Sequence, residues 1–207
     1  SRGLGDVYKR QLLTIASDDH QLTLTPARGD FTDGIVRDNA IRYNNVLPDV
    51  DYQYTVFGNS VKEDIILLQK GTAHSFRYLL NTYGLDASLT DNTLYLYEEG
   101  TDPEQDAVFV LEAPEMEDAA GEISFGVELQ LEESGEESTY AVTVSADSDW
   151  LDADDRVYPV RIDPTAIQVG KSAIHVACAE QGSPNSVIGD NAVSYTHLRA
   201  HETLMNL

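Results

Sequence analysis

TYAVTVSADSDWLDADDRVYPVRIDPT, residues 139–165, is the stretch whose reading decides the fold. Tyr140, Val142 and Val144 alternate with Ala141, Thr143 and Ser145. That period of two puts apolar groups on one face of a strand and small or polar groups on the other. Tyr158, Val160 and Ile162 repeat the alternation after an acidic turn that holds the only Trp, Trp150. Trp150-Leu151 is too apolar for a free loop and reads as a plug over one end of a core. Pro159 lacks a backbone donor, which places the second strand at a sheet edge, and Asp163-Pro164 is expected to stop it.

Moving outward, the same period recurs along the chain. Short alternating runs occupy residues 12–16, 21–25, 40–46, 51–57 and 93–97, residues 61–68 read as the strand returning from a hairpin, and 108–111 is a compact apolar run suited to a central strand. Residues 75–83 read as a strand because Phe76, Tyr78 and Leu80 alternate, and residues 125–131 place Val127, Leu129 and Leu131 inward against Glu128 and Gln130 outward. Pro48-Asp49, Gly58-Asn59-Ser60 and Asp91-Asn92 carry turn chemistry, and residues 98–106 and 112–122 read as polar loops. About ten short strands with frequent turn signals predict an all-β chain, an antiparallel β-sandwich.

Composition narrows the function. The chain has 207 residues, a net charge of −23 and a single cysteine, Cys178. Such an anionic surface argues against nucleic-acid binding, which needs Lys and Arg on phosphate, and against a polybasic membrane anchor. No apolar run is long enough to span a bilayer. One cysteine permits neither an internal disulfide nor a Cys-based zinc site.

The two ends read differently from the middle. SRGLGDVYKRQ (1–11) and VSYTHLRAHETLMNL (193–207) resemble translated sequencing-adapter read-through and are expected to be non-native tails. The tails hold four basic and two acidic residues, so the body falls from 13 to 9 basic and from 36 to 34 acidic, a charge of −25. The expected organisation is a β-sandwich over residues 12–165 and the truncated start of a second β-domain over 166–192. The chain as a whole is expected to be a fragment.

Three patches carry a family resemblance. RYNNVLPDVDYQYTVFGNSVKEDIIL (42–67), APEMEDAAGE (113–122) and WLDADDRVYPVRIDPT (150–165) resemble a β-rich region of large secreted bacterial proteins of the RHS or YD-repeat kind, including wall-associated proteins. The resemblance implies a module that stands immediately before a DNRLRE domain, similar to β-sandwich carbohydrate-binding modules. Residues 166–191 resemble the start of one. It implies no catalytic residue.

The candidate chemistry is sparse. Asp147, Asp149 and Asp152, with Asp154 and Asp155, invite calcium, which takes six to eight oxygens. An EF-hand loop begun at Asp147 fails, with Asp152 where Gly is needed and Tyr158 where Glu is needed, so a solvated acidic turn is favoured. Tyr95 and Tyr97 share a strand face and could stack on a sugar ring, although packing is the commoner use of strand aromatics. Glu63 and Asp64 are the carboxylates in an apolar setting that a glycosidase pair would use, but the family resemblance implies that Lys62-Glu63 is a strand-pairing feature. His20, His74 and His175 are far apart, and His197 and His201 fall in the suspect tail. Arg156 and Asp163 are expected in ion pairs near Trp150. The leading expectation is a monomeric, non-enzymatic scaffolding module of a secreted cell-surface RHS-type protein, without cofactor, whose partners are neighbouring domains of the same polypeptide. The alternatives are a module binding wall polysaccharide and, more remotely, a glycoside hydrolase fragment.

Overall fold

The computed structural model describes residues 13–17, 19–169, 175–178, 186–187 and 194–195. The expected tail at 1–11 and most of the one at 193–207, with His197 and His201, lie outside them. Alternating apolar residues form β1 (Leu13–Ser17), β2 (His20–Pro26), β3 (Ile35–Arg37), β4 (Ala40–Leu47), β5 (Val50–Phe57), β6 (Ser60–Leu67) and β7 (Ser75–Asn81). They continue as β8 (Asp86–Thr90), β9 (Thr93–Tyr97), β10 (Phe109–Leu111), β11 (Glu115–Glu117), β12 (Ile123–Ser124), β13 (Val127–Glu133) and β14 (Thr139–Ala146). A single helical turn, α1 (Ser148–Leu151), precedes β15 (Val160–Val169) and β16 (His175–Cys178).

The protein is an all-β sandwich of two antiparallel sheets, and Ser186–Val187 pairs with Ser194–Tyr195 in a separate two-stranded sheet. The smaller runs β13-β14-β7-β2-β1-β16, and the larger runs β3-β4-β5-β6-β15-β10-β9-β8, with β11 beside β15 and β12 beyond it. Turn residues set the register. Asp91 and Asn92 both take positive φ (48° and 63°) between Thr90 and Thr93, the backbone of a tight two-residue hairpin that matches strand twist.

One core joins the sheets. On the inner face of the larger sheet, Tyr43, Tyr52, Ile65, Ile162 and Met116 stand opposite one another in successive strands, a row that follows from period two and register. Phe76, Tyr78, Val142, Val144 and Leu129 face them from the smaller sheet and are buried. Tyr52 meets Phe76 edge-on across the sandwich at 6.3 Å, and Phe31 packs edge-on against Tyr43 and Tyr52 at 5.5 and 5.2 Å. These are the offsets that aromatic quadrupoles favour.

Several expectations are corrected. β15 is not an edge strand: it lies between β6 on one side and β10 and β11 on the other. Pro159 immediately precedes the strand, so its missing donor removes no ladder bond. Asp163-Pro164 does not stop the strand either, because pairing with β6 resumes at Thr165 after a register shift. Two residues of β15, Asp163 and Pro164, there oppose one residue of β6, Asp64, which is a β-bulge. Such a bulge tolerates proline. The strand therefore crosses residue 165 and pairs with β6 and β10 beyond it. Residues 112–122 are not all loop, since they contain β11, and β3 and β8 lie in stretches too short or too polar to show alternation.

The outer edge of β13 is closed by a side chain. Asn92 Nδ2 donates to Val127 O at 2.7 Å, and Asn92 Oδ1 accepts from Leu129 N at 2.7 Å. One amide thus imitates the next strand and links the two sheets. Asn92→Gly keeps the positive-φ backbone and removes both bonds. It should lower stability by about 1–3 kcal/mol, read as a fall in the urea midpoint, and an unchanged midpoint would show that the amide contributes nothing.

Candidate functional site

The outer face of the larger sheet carries a band of paired charges. Strand alternation that points Tyr54 and Ile65 inward points Gln53, Asp64 and Ile66 outward. Arg42 on β4 donates to Asp51 Oδ2 through Nε at 3.2 Å and Nη2 at 2.7 Å, and Asn45 N donates to Asp51 Oδ1 at 2.7 Å. Lys62 Nζ lies 3.1 Å from Asp163 and 3.4 Å from Asp64, and Arg161 Nη1 is 3.6 Å from Asp64. Asp51, Asp64 and Ile66 are all buried on this outer face. Arg and Lys stems lying over a sheet can shield it while their charges reach solvent.

The bulge gives this band its electrostatics. Burial pushes the Asp163 carboxyl above its ordinary value; Lys62 opposes that shift, and Asp64 and Glu115 add to it. Partial burial pushes the Lys62 ammonium down, but Asp64 and Asp163 outweigh it and hold it above its ordinary value. Asp163 thus pairs with Lys62, and the expectation that it belongs to the Trp150 end is replaced by a place at the bulge.

At the Trp150 end, Arg156 is the organiser. Its guanidinium lies 3.7 Å over the Trp150 ring, its Nε donates to Trp150 O at 3.2 Å, and its Nη1 donates to Asp118 Oδ2 at 3.0 Å. Asp118 also accepts from the amides of Ala120 (2.9 Å), Glu122 (3.0 Å) and Val157 (3.1 Å). Burial pushes its carboxyl up, but these three amides and the Arg156 charge outweigh it, holding Asp118 below the ordinary carboxylate range. Asp118 escaped the sequence reading, although a signal existed. Asp followed three residues later by Gly is turn chemistry, and Gly121 N does bond Asp118 O at 3.0 Å.

The sequence candidates fall in separate places. Asp147 caps α1, its Oδ1 accepting from Asp149 N at 2.9 Å, and Asp152 closes the other end of the same turn. No three His, Cys, Asp or Glu side chains among the described residues stand together as a metal site. Tyr95 and Tyr97 are half-buried on the outer face of β9, Tyr95 opposite Ser88 and Val110 and Tyr97 opposite Asp86. Tyr52 and Tyr54 are core. Glu63 is fully buried, accepting from the Tyr54 hydroxyl at 2.6 Å. Burial, and then the Glu63 charge, push the Tyr52 and Tyr78 hydroxyls far above their ordinary value, so both stay protonated. A shallow groove of about 290 Å³ opens at one end of the charged band, lined by Ile35, Arg37, Ala40, Arg42, Asn44 and Gln53. No helix among the described residues is long and apolar enough to cross a membrane.

Comparison with known proteins finds similarity to wall proteins and nucleases. The chain is 28% identical over 158 residues to the tRNA nuclease WapA of Bacillus subtilis (strain 168), covering 74% of this chain and 7% of that protein. The tRNA3(Ser)-specific nuclease WapA of Bacillus spizizenii gives the same identity over the same shares. The Wall-associated protein of Geobacillus stearothermophilus is 36% identical over 83 residues, 40% of this chain and 31% of that protein. The chain thus spans about 7% of the length of the WapA relatives. No family model matches, and no solved structure matches. The similarity to wall-associated proteins agrees with the resemblance read from the sequence. The expectation of a protein without enzymatic activity is corrected, because the WapA relatives are nucleases by name.

Asp118, which is buried, and Asp163, which is half-buried, predict opposite pH behaviour. Asp118 sits below its unfolded value, so its contribution is present above that value and lost as pH falls through the folded one. Asp163 sits above its unfolded value, so its contribution is full below that value and lost as pH rises through the folded one. In urea titrations from about pH 7 toward about pH 3, Asp118→Asn should be destabilised at neutral pH, with the gap to the parent closing on acidification. Asp163→Asn should gain on the parent as pH rises. Parallel curves for both variants would refute these assignments.

Proposed function

We propose that the chain is a β-sandwich segment of a large, exported, wall-associated protein of the RHS or YD-repeat kind, in which it acts as a framework that spaces and presents neighbouring parts of the polypeptide. The observation that carries this reading is the alignment of most of the sandwich with a small fraction of much longer relatives. The tRNA nuclease activity in the relatives' names is, on this reading, an activity of the whole protein that the sandwich supports. The geometry suits a framework: conspicuous groups such as Tyr52, Tyr54, Glu63 and Arg156 are spent on internal contacts. The net charge of −23 favours solubility outside the core.

The test is made in the full-length protein in its own bacterium. Ile65 is fully buried, so Ile65→Asp should unfold the sandwich and lower the intact protein in wall fractions several-fold on immunoblots. Lys70→Ala, at an exposed ion pair, should leave it unchanged. Equal wall amounts for Ile65→Asp and the parent would refute the framework role.

A further inference from the structure

We infer that the groove lined by Ile35, Arg37, Ala40, Arg42, Asn44 and Gln53 binds a segment of an acidic polysaccharide. This rests on the cell-surface reading above and names a ligand class for a site that reading does not use. The groove lies on the outer face of β3, β4 and β5, where Ile35 stands opposite Arg42 and Arg42 opposite Gln53. Arg37 stands opposite Ala40, two residues along, so the two guanidiniums start from diagonal positions about 7–8 Å apart at the backbone.

The charge is the informative feature. In a chain of net charge −23, Arg42, Lys62, Lys70, Arg77, Arg156 and Arg161 each lie within ion-pair reach of a carboxylate; among the described residues Arg28, which does not line the groove, and Arg37 are the cations without such a pair. Arg37 is exposed and has no acidic partner among the described residues. Arg42 binds Asp51 through Nε and Nη2. That contact holds its guanidinium plane still and leaves Nη1 for a ligand. Planar guanidinium is suited to carboxylate, which it can meet with two hydrogen bonds.

The remaining lining suits sugar. Gln53 Nε2 is directed to Thr55 Oγ1 at 3.3 Å, which leaves the Gln53 carbonyl as an acceptor for a hydroxyl. Asn44 adds an exposed amide, and Ile35, 44% exposed, with Ala40 offers an apolar floor for a ring face. Ligand sites combine such an apolar surface with a few placed polar groups. Nucleic acid fits poorly, because its dense phosphates need many cations and this face presents two. A polymer with widely spaced carboxylates needs only those two.

The experiment titrates the full chain with polygalacturonate oligomers, with neutral dextran and polyphosphate in parallel, by calorimetry. The expected result is binding to polygalacturonate and none to dextran, weakened about tenfold or more by Arg37→Ala and abolished by Arg37→Glu, with the unfolding midpoint unchanged in both variants. Absence of binding by the parent chain, binding indifferent to Arg37, or equal binding to polyphosphate overturns the inference. Each of those results leaves the framework reading standing, since that reading fails only on the wall-fraction measurement.

Discussion

Strand β15 is hydrogen-bonded along both of its sides, to β6 on one and to β11 and then β10 on the other. Among the described residues it is the connection between the β3-to-β6 half of the larger sheet and the β8-to-β12 half. A sheet so built has an awkward requirement: the strand must be long, central and able to change partners midway. The Asp163-Pro164 bulge meets it. Proline lacks an amide hydrogen, and a bulge is a place where an unpaired residue belongs. The extra residue also re-aims the chain, and Asp163 there meets Lys62. Backbone accounting and surface charge are therefore settled at the same two residues.

The second constraint is that polar groups inside the sandwich need partners. The Tyr54 hydroxyl donates to Glu63, and the Tyr78 hydroxyl reaches Tyr52 from the opposite sheet at 3.4 Å. Buried polar groups stabilise little on balance but are costly when left alone, so they restrict how the sheets can sit against each other. Arg156 does the same at the Trp150 end, where it ties α1, the turn at Asp118 and the approach to β15. Tyr158 adds a hydroxyl bond to Leu151 O at 3.0 Å. The plug read from Trp150-Leu151 is thus held by hydrogen bonds as well as by apolar contact.

Alternation made most of this legible. Tyr140, Val142 and Val144, or Phe76, Tyr78 and Leu80, announce a half-buried strand because side-chain period and burial coincide. Where backbone hydrogen bonding decides, the signal weakens. Pro159 and Pro164 each look like a strand terminator, and only the register of β6 shows that one precedes the strand and the other sits in a bulge. β3 and β11 have three residues each, too few for a period to emerge. Site geometry was less legible still. Arg42 and Asp51 are nine residues apart in sequence, Asp118 and Arg156 thirty-eight, and sheet pairing rather than local pattern brings them together. Tyr95 and Tyr97 were visible as a pair, but their partial burial follows from Ser88, Asp86 and Val110 on flanking strands.

Charge in this protein has two separable jobs. Buried carboxylates such as Asp51, Asp64 and Asp118 each have a cation within reach, and those pairs set geometry at the places where strands or turns converge. Removing one partner would strand a charge away from water, which is why such pairs restrict structure more than they stabilise it. The surplus negative charge is carried on exposed loops and turns, for example Glu99, Glu104, Glu136 and Glu137. There it is screened over roughly 8 Å at physiological salt and acts as a diffuse field rather than as bonds. That field discourages approach by other anions everywhere except where cations are left over. Among the described residues, the exposed end of β3 beside Arg42 is such a place, so local pairing, rather than overall charge, determines where a negatively charged chain can accept a negatively charged ligand.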